Sequence, residues 1–255
     1  MINYYKLNFR IMKTTKLLSL LLAFAVVAFT TSCGDDDPVI VIEDGLSVAD
    51  GFYLTMAGAD PVATAQLKSS MVDAPSFGAM SREGFVQTYA YLTAGSYNMV
   101  EVVGKEITNT YGGTLTTISG ADVRNSECDA DNSNYSLVKA EVGGAAFAVA
   151  TDGLYVIAYD AQLGEIVMDQ ISSAGIIGAA TPGGWGADTE LATASVTAAG
   201  ATWTQENVTV DVGEMKFRFN CRWAIDRRVD NGVDFDNSNG YSFFTNFGNS
   251  IDQLL

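Results

Sequence analysis

The sequence predicts an all-β protein built as two tandem β-sandwich domains, the second of them C-terminally incomplete. Three observations predict it. No long 3.6-residue apolar period runs through the chain. Short runs rich in Val, Ile, Tyr, Phe and Thr alternate instead with Gly, Asn and Asp turns. The same turns and strands then recur, in the same order, in both halves of the chain.

The predicted strands are 51–56, 85–92, 96–103, 107–111, 114–118, 135–142, 145–150, 154–160, 164–170, 175–178, 203–210, 214–220 and 241–244. Many short strands at this spacing suit a sandwich. One helix is expected, opened by Asp60 as cap and Pro61 at the first helical position and running from Val62 to Met71. The repeat sets the domain bounds. Gly51 to Leu54 parallels Gly175 to Gly178, Thr93 to Met99 parallels Asp211 to Phe217, and Asp129 to Asn134 parallels Asp234 to Asn239. Two modules follow, 46–170 and 171–255. The counterpart of the segment Gly153 to Asp160 would fall beyond Leu255, so the second module is expected to lack its closing strands and to leave an unpaired edge.

Residues 1–32 read as a lipoprotein signal peptide. Lys6, Arg10, Lys13 and Lys16 precede an apolar run from Leu17 to Phe29, interrupted by Ser19. That length suits a signal-peptide core and is short for a spanning helix. Ser32, Cys33 and Gly34 follow at the distance where lipoprotein processing acylates a cysteine, so Cys33 is the expected lipidation site. Asp35, Asp36 and Asp37 open an acidic linker over 33–45. Acylation of Cys33 would fix the chain to the outer membrane, facing the cell exterior.

Charge and composition exclude several functions. Four of the fourteen basic residues precede Cys33 and none of the thirty acidic ones does, leaving a formal charge of −20 from Cys33 onward. Nucleic acid is therefore not an expected partner, since phosphate binding needs a basic face. The absence of histidine removes Ser-His-Asp and Cys-His chemistry and the commonest zinc ligand. No carboxylate pair stands out from the acidic background, so no catalytic residue, metal or cofactor is expected. The Asp-rich loops at 129–134 and 234–239 fail as EF-hand calcium loops. Asn134 and Asn239 replace the required Gly, and Ala140 and Thr245 replace the required Glu. Cys128 and Cys221 fall in different halves without C-x-x-C spacing, and unpaired thiols are expected in a compartment that would permit a disulfide.

The functional signal lies in 171–228. Gly178-Ala179-Ala180-Thr181-Pro182-Gly183-Gly184-Trp185 is a strand entering a turn that exposes a Trp. Glu214 to Asn220 then alternates strictly, placing Met215, Phe217 and Phe219 on one strand face and Lys216, Arg218 and Asn220 on the other. The apolar three are expected to pack inward and the polar three to line the outer face beside Trp223. An aromatic ring takes the C–H face of a sugar while Lys, Arg and Asn bond its hydroxyls. Core tryptophans and a solvated cationic face would give the same pattern. Trp203, on the preceding strand, is assigned to the core.

The turn to Trp185, followed by Lys216-Phe217-Arg218, Asn220 and Trp223-Ala224-Ile225, resembles the carbohydrate-binding modules of the SusE/SusF family. These outer-membrane surface lipoproteins hold starch beside a SusC/SusD-type uptake system. The resemblance implies non-catalytic binding of a starch-like glucan or related polysaccharide through Trp185, Lys216, Arg218, Asn220 and Trp223. The chain departs from the family pattern at Asp226-Arg227-Arg228, which leaves the glycan open. The alternative is a structural or adhesive β-sandwich lipoprotein without glycan binding. The first module carries Asn98, Val100 and Val102 where the second has Lys216, Arg218 and Asn220, and is expected to act as a spacer.

Overall fold

The structure, a computed structural model, describes residues 9–10, 45–74, 78–118, 134–228, 240–244 and 246–247. Cys33, the aspartate tract and both Asp-rich loops up to Ser133 and Asn239 lie outside them. The described chain is nearly all β, in curled antiparallel sheets with a sandwich-like arrangement. No helix among the described residues is long and apolar enough to cross a membrane.

The middle of the molecule is set by β11 (Gly153–Asp160), which runs between β4 (Gly78–Leu92) and β12 (Glu165–Gln170). β12 pairs in turn with β8 (Tyr135–Lys139), and β8 with β7 (Leu115–Ile118). Every residue of β11 is buried, and alternation divides its side chains between two cores. Tyr155, Ile157 and Tyr159 join Ile166 and Met168 in a core shared with Leu54, Met99 and Phe147. Those three come from β2 (Gly51–Met56), β5 (Gly95–Val103) and β10 (Phe147–Val149), where β5 pairs with both other strands. Leu154, Val156 and Ala158 face the opposite way, with Val167, into a core completed by Ala174, Ile176, Leu191, Trp203 and Phe219.

That second core changes the expected division at 170. Its far wall is β13 (Ala174–Ile177), β14 (Thr189–Thr197), β15 (Gly200–Thr204) and β16 (Lys216–Phe219). The order along this sheet is β15-β14-β13-β16, with β19 (Asn246–Phe247) beyond β16 and β1 (Phe9–Arg10) beyond β15. The apolar face of residues 174–219 is thus covered by the back of the sheet from the first stretch. Two cores lie on either side of one shared sheet, and the boundary passes through apolar packing. β17 (Ala224–Arg228) pairs with β18 (Gly240–Phe244), and β18 adds to β3 (Gln66–Ala74) of the first stretch. β18 thus ties the second stretch to a strand of the first; the closing strands expected to be missing concern the chain after 228, most of which lies outside the described set.

The repeat does survive at the level of strand neighbours. β2 lies between β3 and β5, and β13 lies between β14 and β16. The expected helix at 62–71 does not form. Only a 3-10 turn, Ala63–Ala65, precedes β3, and its cap, Val62, makes no side-chain cap bond. From Gln66 the chain is captured by β2 and β4, and tertiary pairing overrides the Asp-Pro start signal. On the outer side, β6 (Glu106–Gly112) continues the sheet from β5 and β9 (Glu141–Val142) continues it from β6.

Candidate functional site

β13 and β16 pair so that Gly175 is opposite Arg218 and Ile177 opposite Lys216, while Ala174 and Ile176 meet Phe219 and Phe217. The inward face matches the expectation: Phe219 is core, Met215 and Phe217 pack against it, and Trp203 is buried 5.4 Å from the Phe219 ring. The outward face does not. Lys216 is 8% exposed, Arg218 1% and Asn220 4%. The predicted cationic row is covered, and Ile177 beside it is buried too.

The cover is the excursion from Gly178 to Asp188. Gly178 has φ +143°, and a Cβ there would stand 2.3 Å from the Glu214 carbonyl, so only glycine fits. The Thr181 N–H and hydroxyl both donate to the Gly178 carbonyl at 2.9 Å. The Gly178 N–H donates to the Gly184 carbonyl, and the Gly184 N–H to the Thr181 carbonyl. Pro182 preorganises this closed turn. The Ala180 N–H reaches the Glu214 carbonyl and the Asp211 N–H reaches the Ala180 carbonyl, tying the turn to the segment that leads into β16.

Two indoles and a guanidinium meet here. Trp185 stands at the tip of the turn, 42% exposed, as the sequence predicts. Its ring lies 6.0 Å from that of Trp223, with 36° between the planes. The Arg218 guanidinium sits 4.6 Å from the Trp223 ring centre, a cation–π contact. Arg218 Nε donates to Asp188 Oδ1 at 2.7 Å, deep in the protein. The Asp188 carboxylate lies over Gly175, where a Cβ would come within 2.9 Å of Oδ2. The structure thus brings Trp185, Trp223 and Arg218 together.

Asn220 belongs to a different arrangement. Its Oδ1 accepts from the Ser172 N–H, the Ser172 hydroxyl and the Ser173 N–H, at 2.8, 3.1 and 3.2 Å. Its Nδ2 donates to Asp169 Oδ2 and to the Gln170 carbonyl. Arg222, buried, donates to the same Asp169 oxygen at 3.1 Å and to the Asn134 carbonyl at 3.2 Å. Burial pushes the Asp169 carboxyl up to about 6, against the opposing pull of Arg222, Asn220 and a backbone N–H. Asp188, Gly175, Asp169 and Arg222 were not legible as site residues, because nothing in their spacing marks them.

Cys221, expected as a free thiol, is disulfide-bonded, and its partner lies outside the described residues. Among the described residues no three His, Cys, Asp or Glu side chains are grouped to hold a metal ion. No family model, curated protein or solved structure matches this chain.

Proposed function

We propose that this protein is a non-catalytic glycan-binding lipoprotein, anchored through Cys33 in the outer membrane and holding a starch-like glucan or related polysaccharide beside a SusC/SusD-type uptake system. The observation that carries the reading is the exposed indole of Trp185, fixed at the tip of a hydrogen-bonded turn and backed by Trp223. A preset ring offers a sugar its stacking energy with little ordering cost. The charge of Arg218 is met by Asp188, so the exposed ring of Trp185 suits a neutral glycan. Arg218 lies against the Trp223 ring, Lys216 is buried on the same strand, and Asn220 bonds within the turn that leads to Trp223.

Affinity electrophoresis in amylopectin and related polysaccharides tests this. A shallow site of this kind binds at ~10⁻³ to 10⁻⁵ M. Trp185→Ala should weaken retardation several-fold, the loss of ~1 kcal/mol or more of stacking, with the melting temperature nearly unchanged. Unchanged retardation in every glycan would sink the reading and leave the structural or adhesive alternative. The anchor is tested separately: Cys33→Ala should release the protein from the outer-membrane fraction, and protease shaving of intact cells reports its orientation.

A further inference from the structure

Residues from both halves of the chain wall a cavity of about 400 Å³ that shares no residue with the Trp185 site. One wall comes from β2, β4 and residues 59–65, the other from residues 197–201, the turn between β14 and β15 and the start of β15. Small side chains leave the space open: Ala59, Ala65 and Ala90 on one side, and Ala198, Ala199 and Gly200 on the other. Leu54, Leu92 and Leu154 are buried behind them. Asp60 and Pro61, which fail to start a helix, lead instead into the short 3-10 turn that forms part of the first wall. Cavities of ~300–1,000 Å³, mostly apolar and set between packed units, are where proteins hold small molecules.

Most polar side chains of the lining are already engaged. The Tyr97 hydroxyl accepts from the Thr93 N–H and donates to the Thr93 carbonyl, and the Tyr89 hydroxyl accepts from Gln87. Thr55 Oγ1 donates to the Ala59 carbonyl at 3.0 Å, and Thr197 Oγ1 to the Gly200 carbonyl. Two groups stand apart. Among the described residues no side-chain bond engages the Asp60 carboxylate or the hydroxyl of Tyr91, which lies opposite Leu154 across β4 and β11. Asp60 is also the one charged residue among the described residues of the lining. A carboxylate only accepts hydrogen bonds and a phenol oxygen also accepts, while an ammonium offers three donors and a positive charge. We propose that this cavity is a second binding site, for a small hydrophobic amine whose apolar body lies among the alanines and leucines and whose ammonium is held by Asp60 and Tyr91. An anionic ligand of the same shape would bring its charge to Asp60, in a chain already at −20 from Cys33 onward, and is disfavoured. Amine binding here is independent of glycan binding at Trp185.

The full chain from Cys33 onward is titrated by calorimetry with three ligands of one shape: naphthylmethylamine, naphthylmethanol and naphthoate. The amine should bind once per chain at ~10⁻³ to 10⁻⁴ M, the range open to so small a ligand. The alcohol should bind about three- to fivefold more weakly, which is the worth of an exposed ion pair, and naphthoate more weakly still. Asp60→Asn should bring the amine down to the level of the alcohol and leave the alcohol unchanged. Glu206→Gln, an equal loss of charge at an exposed carboxylate outside the cavity, should change neither. Ala199→Trp, at an exposed position in the turn, should fill the cavity and abolish binding of all three. If that variant does not fold, Ala198→Trp is read in its place. No saturable binding of the amine would overturn the proposal, as would equal affinity for the three ligands. Amine affinity that stays at the wild-type level in Asp60→Asn or in the filled variant would overturn it too.

Discussion

The Arg218–Asp188 pair makes the sharpest test of how the site is built. Arg218 is 1% exposed and its Nε lies 2.7 Å from Asp188 Oδ1, so neither water nor salt can substitute for the lost partner. Asp188→Ala should remove the carboxylate from a buried guanidinium that lies against the Trp223 ring. Breaking a buried pair from one side costs ~3–5 kcal/mol, a large share of the ~5–15 kcal/mol that holds a typical domain together. Replacing both partners with apolar groups of similar shape removes the desolvation penalty along with the attraction. Arg218→Met with Asp188→Leu should therefore recover most of the loss. Urea unfolding of the wild type, both single variants and the double variant, with linear extrapolation, gives the four free energies of the cycle. If Asp188→Ala costs less than ~1 kcal/mol, the pair is behaving as a solvated surface bridge and the covered-face geometry is wrong.

Three further outcomes are expected. Gly178→Ala should destabilise by at least ~2 kcal/mol, because the new Cβ meets the Glu214 carbonyl in a backbone region closed to L side chains; a melting curve like wild type would refute the turn. Phe219→Ala should cost ~3–5 kcal/mol by urea unfolding while Trp185→Ala costs under ~1, since one ring is in the shared core and the other at a turn tip. Asp169 should make an inverted contribution to the pH dependence of stability. Its folded pKa is raised from 3.8 to about 6, so the folded state holds the proton more tightly, and stability from this group falls as pH rises across that window. The wild type should lose on the order of 3 kcal/mol relative to Asp169→Asn over that range, and a flat difference would contradict the burial of the carboxyl.

The strands that were legible in the sequence are those whose two faces differ or whose both faces are buried. β11 is a continuous apolar run and β5 buries side chains on both of its faces, and both fall where predicted. β3 and β14 were missed for a physical reason. Gln66–Ala74 and Thr189–Thr197 carry few apolar residues, much of β14 is exposed, and what makes them strands is the hydrogen bonding of their neighbours. The stretch 203–210 reads as a strand by composition, yet β15 stops at Thr204. Alternation in β16 was read correctly and the phase was right, since Phe219 does face the core. What alternation could not supply was the environment of the other face, because the cover comes from a loop thirty residues upstream through the Asp188 contact.

The same limit explains how the two copies of the repeat differ. The first copy places Asn98, Val100 and Val102 where the second has Lys216, Arg218 and Asn220. Val100 and Val102 are buried with Tyr53 under Leu46 and Val48, so an apolar segment covers an apolar strand face. The Leu46 N–H fixes that segment by donating to the Lys105 carbonyl. Asn98 spends its Nδ2 on the Tyr111 carbonyl. In the second copy the strand face carries cations, and an apolar cover would strand a buried charge at a cost of several kcal/mol. The cover there must bring a carboxylate, which Asp188 does, and it must fill the remaining space above the guanidinium, which Trp223 does. The turn that returns the chain to Asp188 leaves Trp185 standing at its tip. Exposure of that one indole follows from how the buried arginine is neutralised, and the first copy, with no buried cation on its strand face, needs no such turn.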